Sequence, residues 1–393
     1  MREVLVECKS CGYKKQFEFY KLYQVPVHSV LLMEKHSEAV NYPRGEISLG
    51  FCPACGFISN TKFDPGYHEY SSKYEETQGF SHTFNKFHKE LALKLIEKHD
   101  LRNKKIIEIG CGKGEFITML CELGPNTGYG FDPAYVSERN ISTARERVEF
   151  IQDFYSEKYV NYHADFVCCK MTLEHIPDTL EFMKVVRRSI ADRFNTIVFF
   201  QVPDMVRILK DAGFWDIYYE HCSYFTSGSL ARLFRKAGFE VLDLYKAYDD
   251  QYLMIEAKPV NGSGRKILIQ EESVEDIRQL IGQFEEKIET IFRSWQKFLS
   301  GKKKTVLWGG GSKGVAFLTT LKLNSEVQYA VDINPYKHGT YMAGTGQKIV
   351  SPDFLKKYQP DLVIVMNPIY MDEIKNDLQK LGINPHILPI DHF

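Results

Sequence analysis

Residues 104–123 read KKIIEIGCGKGEFITMLCEL: an apolar run, a glycine-rich turn, then an amphipathic segment. No other stretch constrains the fold so tightly. The apolar run is strand-like and carries an acid, Glu108, at its end. Gly110, Gly112 and Gly114 then allow the close backbone approach and positive φ that a side chain would penalise. The helix predicted after them offers unpaired N–H groups at its start. A lone Gly-x-Gly-x-Gly fits many nucleotide-binding crossovers, including the dinucleotide turn of an unrelated enzyme. Glu108 narrows the choice, because a carboxylate repels a pyrophosphate and suits a cationic, phosphate-free ligand. Asp132 ends a second apolar run (GYGFD), where a carboxylate can take a ribose diol, and Asp153 ends a third (VEFIQD).

From residue 104 to about 258 apolar runs alternate with helical segments: KKIIEI, TGYGFD, VEFIQD, DFVCCK, TIVFFQ and FEVLDLYKAYDDQYLMIEAK. Such βα alternation implies a parallel sheet, and the last two runs, joined by a short connection, form an antiparallel pair. Residues 173–178 (LEHIPD) follow the fourth strand, where ligands gather at the carboxyl ends of strands. A capped amphipathic helix is predicted from about Ser81 to His99, with Phe84, Phe87, Leu91, Leu95 and Ile96 on one face. The tyrosine-rich segment before it, residues 67–80, either lies over a ligand or is a surface loop. Three strand ends, each bearing an acid, resemble the S-adenosylmethionine site of class I methyltransferases, whose sheet also closes on an antiparallel pair.

The N-terminus carries a different signature. Cys8-Lys9-Ser10-Cys11-Gly12 and Cys52-Pro53-Ala54-Cys55-Gly56 are two Cys-x-x-Cys-Gly turns. Knuckles of this spacing place four thiolates around zinc, and a site with four sulfur ligands is structural rather than catalytic. Cys111, Cys121, Cys168, Cys169 and Cys222 lie mostly in apolar runs and read as small core residues. Disulfides are not expected, because the first residues lack a signal-peptide core and no apolar run approaches a bilayer span. The sequence therefore predicts a cytoplasmic protein. Fifty basic and fifty-one acidic residues nearly cancel, which argues against a nucleic-acid or membrane-surface partner.

Residues 259–264 (PVNGSG) form a linker by composition. Val274, Ile277, Ile281, Phe284, Ile288, Ile291, Trp295 and Phe298 then alternate spacings of three and four. That seam either docks on the body of the protein, the favoured reading, or pairs with a second copy, so a monomer or a homodimer is expected. A final α/β unit begins with the strand at residues 305–308 and the turn Gly309-Gly310-Gly311-Ser312-Lys313-Gly314. This turn could cradle a phosphate, with Lys313 adding charge. The resulting division is an N-terminal zinc-binding module (1–64), a methyltransferase core (65–260), and a linker helix with a second Rossmann-like α/β domain (261–393).

Residues 214–225 (FWDIYYEHCSYF) concentrate catalytic side-chain types between the fifth strand and a helix starting near Thr226. Histidine is the natural proton acceptor near neutral pH, a carboxylate can orient it, and phenols can hold a developing oxyanion. The same loop could merely fasten sheet to helix. Taken together, the knuckles, the core, the Tyr-x-Glu-His loop and the second Rossmann-like domain resemble the zinc-containing deoxysugar C-methyltransferases, which act on nucleotide-linked 4-keto sugars. The Tyr-x-Glu-His of that family falls on Tyr218, Glu220 and His221, with Tyr219 where His is common. The family's C-terminal signature is similar to residues 308–314 and 331–339, and its early catalytic tyrosine matches Tyr70 or Tyr74. The YSSKYEETQGFS and LEHIPD stretches also resemble methyltransferases of polysaccharide gene clusters.

The resemblance implies a mechanism. His221, held by Glu220, removes a proton beside the sugar ketone, and Tyr218 with Tyr70 or Tyr74 stabilises the enolate. S-adenosylmethionine, bound by Glu108, Gly110, Gly112, Gly114, Asp132 and Asp153, is the methyl donor. Zinc on Cys8, Cys11, Cys52 and Cys55 is structural. The rivals are an O- or N-methyltransferase on the same fold and a non-catalytic binding or assembly protein.

Overall fold

The computed structural model describes residues 1–67, 73–262, 267–301 and 304–393. The chain opens with β1 (Arg2–Val4), β2 (Gln16–Pro26), a short helix α1 (His36–Val40), β3 (Arg44–Phe51) and β4 (Ile58–Asn60). The two cysteine knuckles are the turns between β1 and β2 and between β3 and β4, and they are built alike. The amides of Cys8 and Cys52 donate to the carbonyls of Tyr13 and Phe57, and those of Gly12 and Gly56 donate back to Cys8 and Cys52. Gly12 and Gly56 sit at φ of 80° and 75°, the left-handed region that glycine enters without a Cβ penalty.

The core comprises α2 (His82–His99), β5 (Lys105–Ile109), α3 (Glu115–Leu123), β6 (Thr127–Phe131), β7 (Val148–Ile151), β8 (Phe166–Lys170), α4 (Thr179–Ile190), β9 (Ile197–Pro203), α5 (Met205–Asp211), β10 (Ser223–Tyr224), α6 (Ser227–Lys236), β11 (Phe239–Ala247) and β12 (Tyr252–Pro259). Its seven-stranded sheet runs β11-β12-β9-β8-β5-β6-β7, parallel except for β12, which lies between β9 and β11 and runs antiparallel to both. This is the class I methyltransferase sheet that the apolar alternation predicts. β5 lies between β6 and β8, so the chain reverses direction across the sheet there, and a crevice opens at the carboxyl ends of the strands. Ser81 caps α2 by accepting from the Phe84 amide, as its sequence predicts. The five core cysteines are all buried.

The C-terminal part holds α7 (Val274–Leu299), β13 (Thr305–Trp308), α8 (Ser312–Leu321), β14 (Tyr329–Val331), β15 (Lys348–Val350), α9 (Leu355–Tyr358), β16 (Leu362–Val365), α10 (Met371–Lys380) and β17 (His386–Pro389). Its five parallel strands are ordered β15-β14-β13-β16-β17. The turn after β13 repeats the construction of the turn after β5. Asp132 takes the Gly112 amide at 2.8 Å and Asp332 takes the Gly310 amide at 3.0 Å.

The seam of α7 docks on the body. Ile277, Ile281, Phe284, Ile288, Ile291, Trp295 and Leu299 are buried in one core with Phe19 and Tyr20 of β2, Phe214 and Phe317. Phe284 meets Tyr20 edge-on at 5.4 Å, and Trp295 meets Phe317 at 5.1 Å. One helix face thus joins the N-terminal sheet, the core and the C-terminal sheet. The N-terminal module is also not self-contained. β10, from the loop that carries Tyr218, Glu220 and His221, extends its sheet by pairing Ser223 with Ser59, which gives the order β1-β2-β3-β4-β10. Among the described residues no helix is long and apolar enough to cross a membrane.

Candidate active site

The core sheet and the C-terminal sheet meet at one cavity of about 660 Å³, which Val30 of the N-terminal module also lines. Its floor is the carboxyl edge of the core sheet. Glu108, Gly110, Gly112, Asp132 and Asp153 line it, as their strand-end positions predict. Asp132 accepts the Gly112 and Ala134 amides, and its burial nevertheless raises its pKa. Glu108 accepts the Ile117 amide in the first turn of α3, and burial pushes its pKa up to about 7. Asp153 is more open and takes the Tyr159 hydroxyl at 2.5 Å. Gly114 does not line the cavity. A Cβ there would lie 2.5 Å from Phe150 and 2.6 Å from Asn140, and φ is 81°, so packing and backbone demand this glycine.

The segment ahead of α2 covers the site, since Tyr74, Glu76, Thr77, Gln78 and Phe80 line the cavity. Tyr74 is buried and bridges to Leu31. Tyr70 lies outside the described residues.

On the opposite wall stands the Tyr-x-Glu-His loop. His221 Nε2 lies 2.8 Å from the Tyr218 hydroxyl, and His221 Nδ1 has no partner. Burial first, then the neighbouring His175 and Lys313, hold the His221 pKa well below its ordinary value, so the imidazole is neutral near pH 7. Burial likewise raises Tyr218, which stays a phenol. The expected support from Glu220 to His221 is not formed. Glu220 instead accepts the Ser29 amide at 2.7 Å and the Ser29 hydroxyl at 2.8 Å, with His28 Nδ1 at 3.6 Å. Burial works to raise the Glu220 pKa, but His28 and the Ser29 donors outweigh it and hold the group ionised. What reaches toward His221 is His175, at a ring separation of 4.9 Å, with its Nδ1 held 2.9 Å from the Glu220 carbonyl. Tyr219, beside this loop, is structural: its hydroxyl takes the Asp64 amide, and its ring fills the space a side chain at position 45 would need.

In the sequence Glu174 stands out only as part of the 173–178 stretch. It is buried beside His175 and His221 with both oxygens unpartnered, and burial pushes its pKa up to about 8. His28 and Ser29 carry no sequence signal, since they reach Glu220 across 191 to 192 positions only through the fold. The phosphate role considered for the C-terminal turn loses its cation, because Lys313 is bonded to Asp216 and the Asp332 carboxylate sits on Gly310.

The four knuckle cysteines converge. Cys8 and Cys55 sulfurs are 3.6 Å apart, as are those of Cys11 and Cys52, and all four lie within 4.8 Å of one another. Tetrahedral zinc at about 2.3 Å from each sulfur requires edges of roughly 3.8 Å, so the set fits the ion. Arg232 of α6 donates to the Cys55 carbonyl, which ties the knuckle to the core.

Residues 80–244 match the family model described as a methyltransferase domain, and residues 256–384 match the C-methyltransferase C-terminal domain. The C-methyltransferase NovU of Streptomyces niveus is 27% identical over 290 residues, covering 68% of this chain and 67% of that protein. Solved structures with likeness include the dimethyltransferase RosA of Streptomyces davawensis, 18% identical over 45% of this chain and 56% of that one, at a TM-score of 0.37. Another is the 1,6-didemethyltoxoflavin-N1-methyltransferase of Burkholderia thailandensis, 17% identical over 47% of this chain and 83% of that one, at a TM-score of 0.36. Scores of this size carry no argument about substrate. Sheet order, acid-lined strand ends and the first domain match define an S-adenosylmethionine-dependent methyltransferase. With the second domain and the NovU relative, the chain belongs among the S-adenosylmethionine-dependent C-methyltransferases.

Proposed function

We propose that this enzyme C-methylates a nucleotide-linked keto-deoxysugar through base-assisted enolate formation. The observation that carries the reading is the buried His221–Tyr218 pair facing the cofactor-lined cavity, with Nδ1 of a neutral imidazole unpartnered. Nε2–H donates to the Tyr218 oxygen, and Nδ1 then holds the lone pair that takes the proton from the carbon beside the ketone. Tyr218 keeps its own proton and donates it as a hydrogen bond to the oxygen on which charge develops; Tyr74 covers the same space. S-adenosylmethionine supplies an electrophilic methyl to the resulting carbanion. Ionised Glu220 anchors the loop to Ser29, and its carbonyl fixes the His175 ring, so it acts by positioning. Cys8, Cys11, Cys52 and Cys55 hold a structural zinc that keeps the N-terminal sheet, and through β10 the catalytic loop, in place.

The test isolates the proton. With S-adenosylhomocysteine in place of the methyl donor, wild-type protein should exchange the sugar's α-proton with heavy water. His221→Ala should bind the sugar yet lose exchange and turnover by about 10²–10⁴-fold. A folded His221→Ala enzyme with near-wild-type turnover would end the reading. Product carrying a new C–O or C–N bond would point to the O- or N-methyltransferase alternative, in which His221 deprotonates a heteroatom.

A further inference from the structure

Glu174, His175 and His221 line one corner of the cavity, and one ligand atom of each lies within 4.8 Å of the other two. Glu174 and His175 sit in the turn after β8, and His221 in the loop ahead of β10. The two segments are tied together, because the Cys222 amide donates to the Glu174 carbonyl at 3.0 Å. Glu174 is 1% exposed, and among the described residues neither of its carboxyl oxygens has a hydrogen-bond partner. His221 is 3% exposed, and with its Nε2 engaged by Tyr218 its Nδ1 is likewise unpartnered. The Glu220 carbonyl can only accept, so His175 donates Nδ1–H to it and keeps its lone pair on Nε2. A ring whose other nitrogen is tied to a carbonyl is how metal-ligating histidines are oriented.

The donor types say which ligand. A carboxyl buried without a donor is costly, and a bound cation removes that cost. Two imidazoles and one carboxylate are the donor set of open zinc sites, which keep a position for a further ligand. Bonds of about 2.0–2.2 Å place neighbouring donors roughly 3.3–3.6 Å apart, so these side chains would draw in by roughly an ångström around the ion. Lys313, whose charge reaches His221, is already bonded to Asp216, which limits its repulsion of a cation. Three nitrogen and oxygen donors hold zinc less firmly than four thiolates, so dialysed protein keeps the knuckle ion while an ion here exchanges.

We propose that Glu174, His175 and His221 form a second, exchangeable metal site for a borderline divalent cation such as Zn²⁺, and that its occupation shuts the enzyme down. The ion takes the Nδ1 lone pair of His221 and fills the space beside it. Binding stands on the three donors alone; the loss of activity rests on the reading of His221 as the base.

Titration calorimetry of Zn²⁺ into protein with loaded knuckles reads the site without substrate. Wild type should take up one further ion per chain. Glu174→Gln keeps the side chain's size but removes the anionic donor, and His175→Asn can still donate to the Glu220 carbonyl. Each should weaken that uptake by about tenfold or more, since even a lost orienting partner costs about 10–100-fold. No further ion would overturn the proposal, as would equal uptake by wild type and both variants, which marks an ion held elsewhere. Co²⁺ supplies a check that needs no variant. Held by nitrogen and oxygen it lacks a near-ultraviolet thiolate-to-metal band, and such a band from the added ion would put it on cysteine and overturn the assignment. In the α-proton exchange assay with S-adenosylhomocysteine, added Zn²⁺ should abolish exchange in step with the calorimetric occupancy; faster exchange would overturn the inhibitory role. An ion bound at these three residues that leaves exchange untouched would uphold the site and remove His221 as the base.

Discussion

At the scale of single residues, burial sets the protonation states on which the chemistry depends. His221 has its pKa depressed, so its base form persists below the ordinary histidine value of about 6.5. The acid limb of kcat/KM should accordingly fall below pH 6.5; an acid limb at or above that value would assign it to another group. Glu174 is shifted the other way, up to about 8 from an ordinary 4.5. A carboxyl whose folded pKa is raised contributes stability below its unfolded value and loses it as pH rises through the folded one. The Glu174 contribution to the stability of the ligand-free protein should therefore be lost between about pH 5 and 8, and Glu174→Gln, which stays neutral, should differ from wild type by a melting-temperature gap that widens as pH rises through that window. Asp132→Ala should weaken S-adenosylmethionine binding by roughly 10–100-fold through loss of the ribose hydrogen bonds. Unchanged affinity by calorimetry would move the ribose elsewhere.

At the scale of elements, the knuckles and the Tyr-x-Glu-His loop are mechanically one unit. Ser223 pairs with Ser59, the Asn60 amide donates to the Cys222 carbonyl, and Cys222 directly follows His221. Metal analysis should find one zinc per chain. Removing it with a chelator, or substituting Cys52→Ser, should lower the melting temperature, because metal binding is folding free energy in such modules. Activity should fall in step with that loss rather than by a separate chemical defect. Protein purified without chelator that holds no zinc would refute the metal assignment.

At the scale of the molecule, α7 decides whether the three sheets stay packed together. Trp295 is fully buried against Phe317, Phe298 and Phe393, and Phe284 against two aromatics of β2. Trp295→Ala should cost about 3–5 kcal/mol, as large-to-small changes in a packed core do. Urea melts of the variant provide the check. With its apolar face spent inside the chain, α7 has no seam left for pairing with a second copy, so dilution should not change the melting temperature through this helix.

Much of the architecture was legible in the sequence because it is written in local periodicity. Apolar runs alternating with helical segments marked the core strands, and a short connection between the last two marked the closing antiparallel pair. Spacings of three and four marked the buried face of α7, and a serine before an apolar-periodic run marked the start of α2. Cysteine spacing with a following glycine marked both knuckles, since the turn itself demands those residue types. Acids at strand ends located the floor of the cavity, because a parallel sheet opens its crevice there. What the tertiary structure alone decided are pairings across long separations. Glu220 turns to Ser29, 191 positions away, rather than to its neighbour His221, and Ser29 in turn meets Ser312 across 283 positions. Gly114 is required by packing against Phe150 and Asn140, and β10 joins the N-terminal sheet. Local spacing fixes which way a side chain faces along its own element. Which charge it meets depends on elements brought together only when the sheets pack, and no periodicity encodes that.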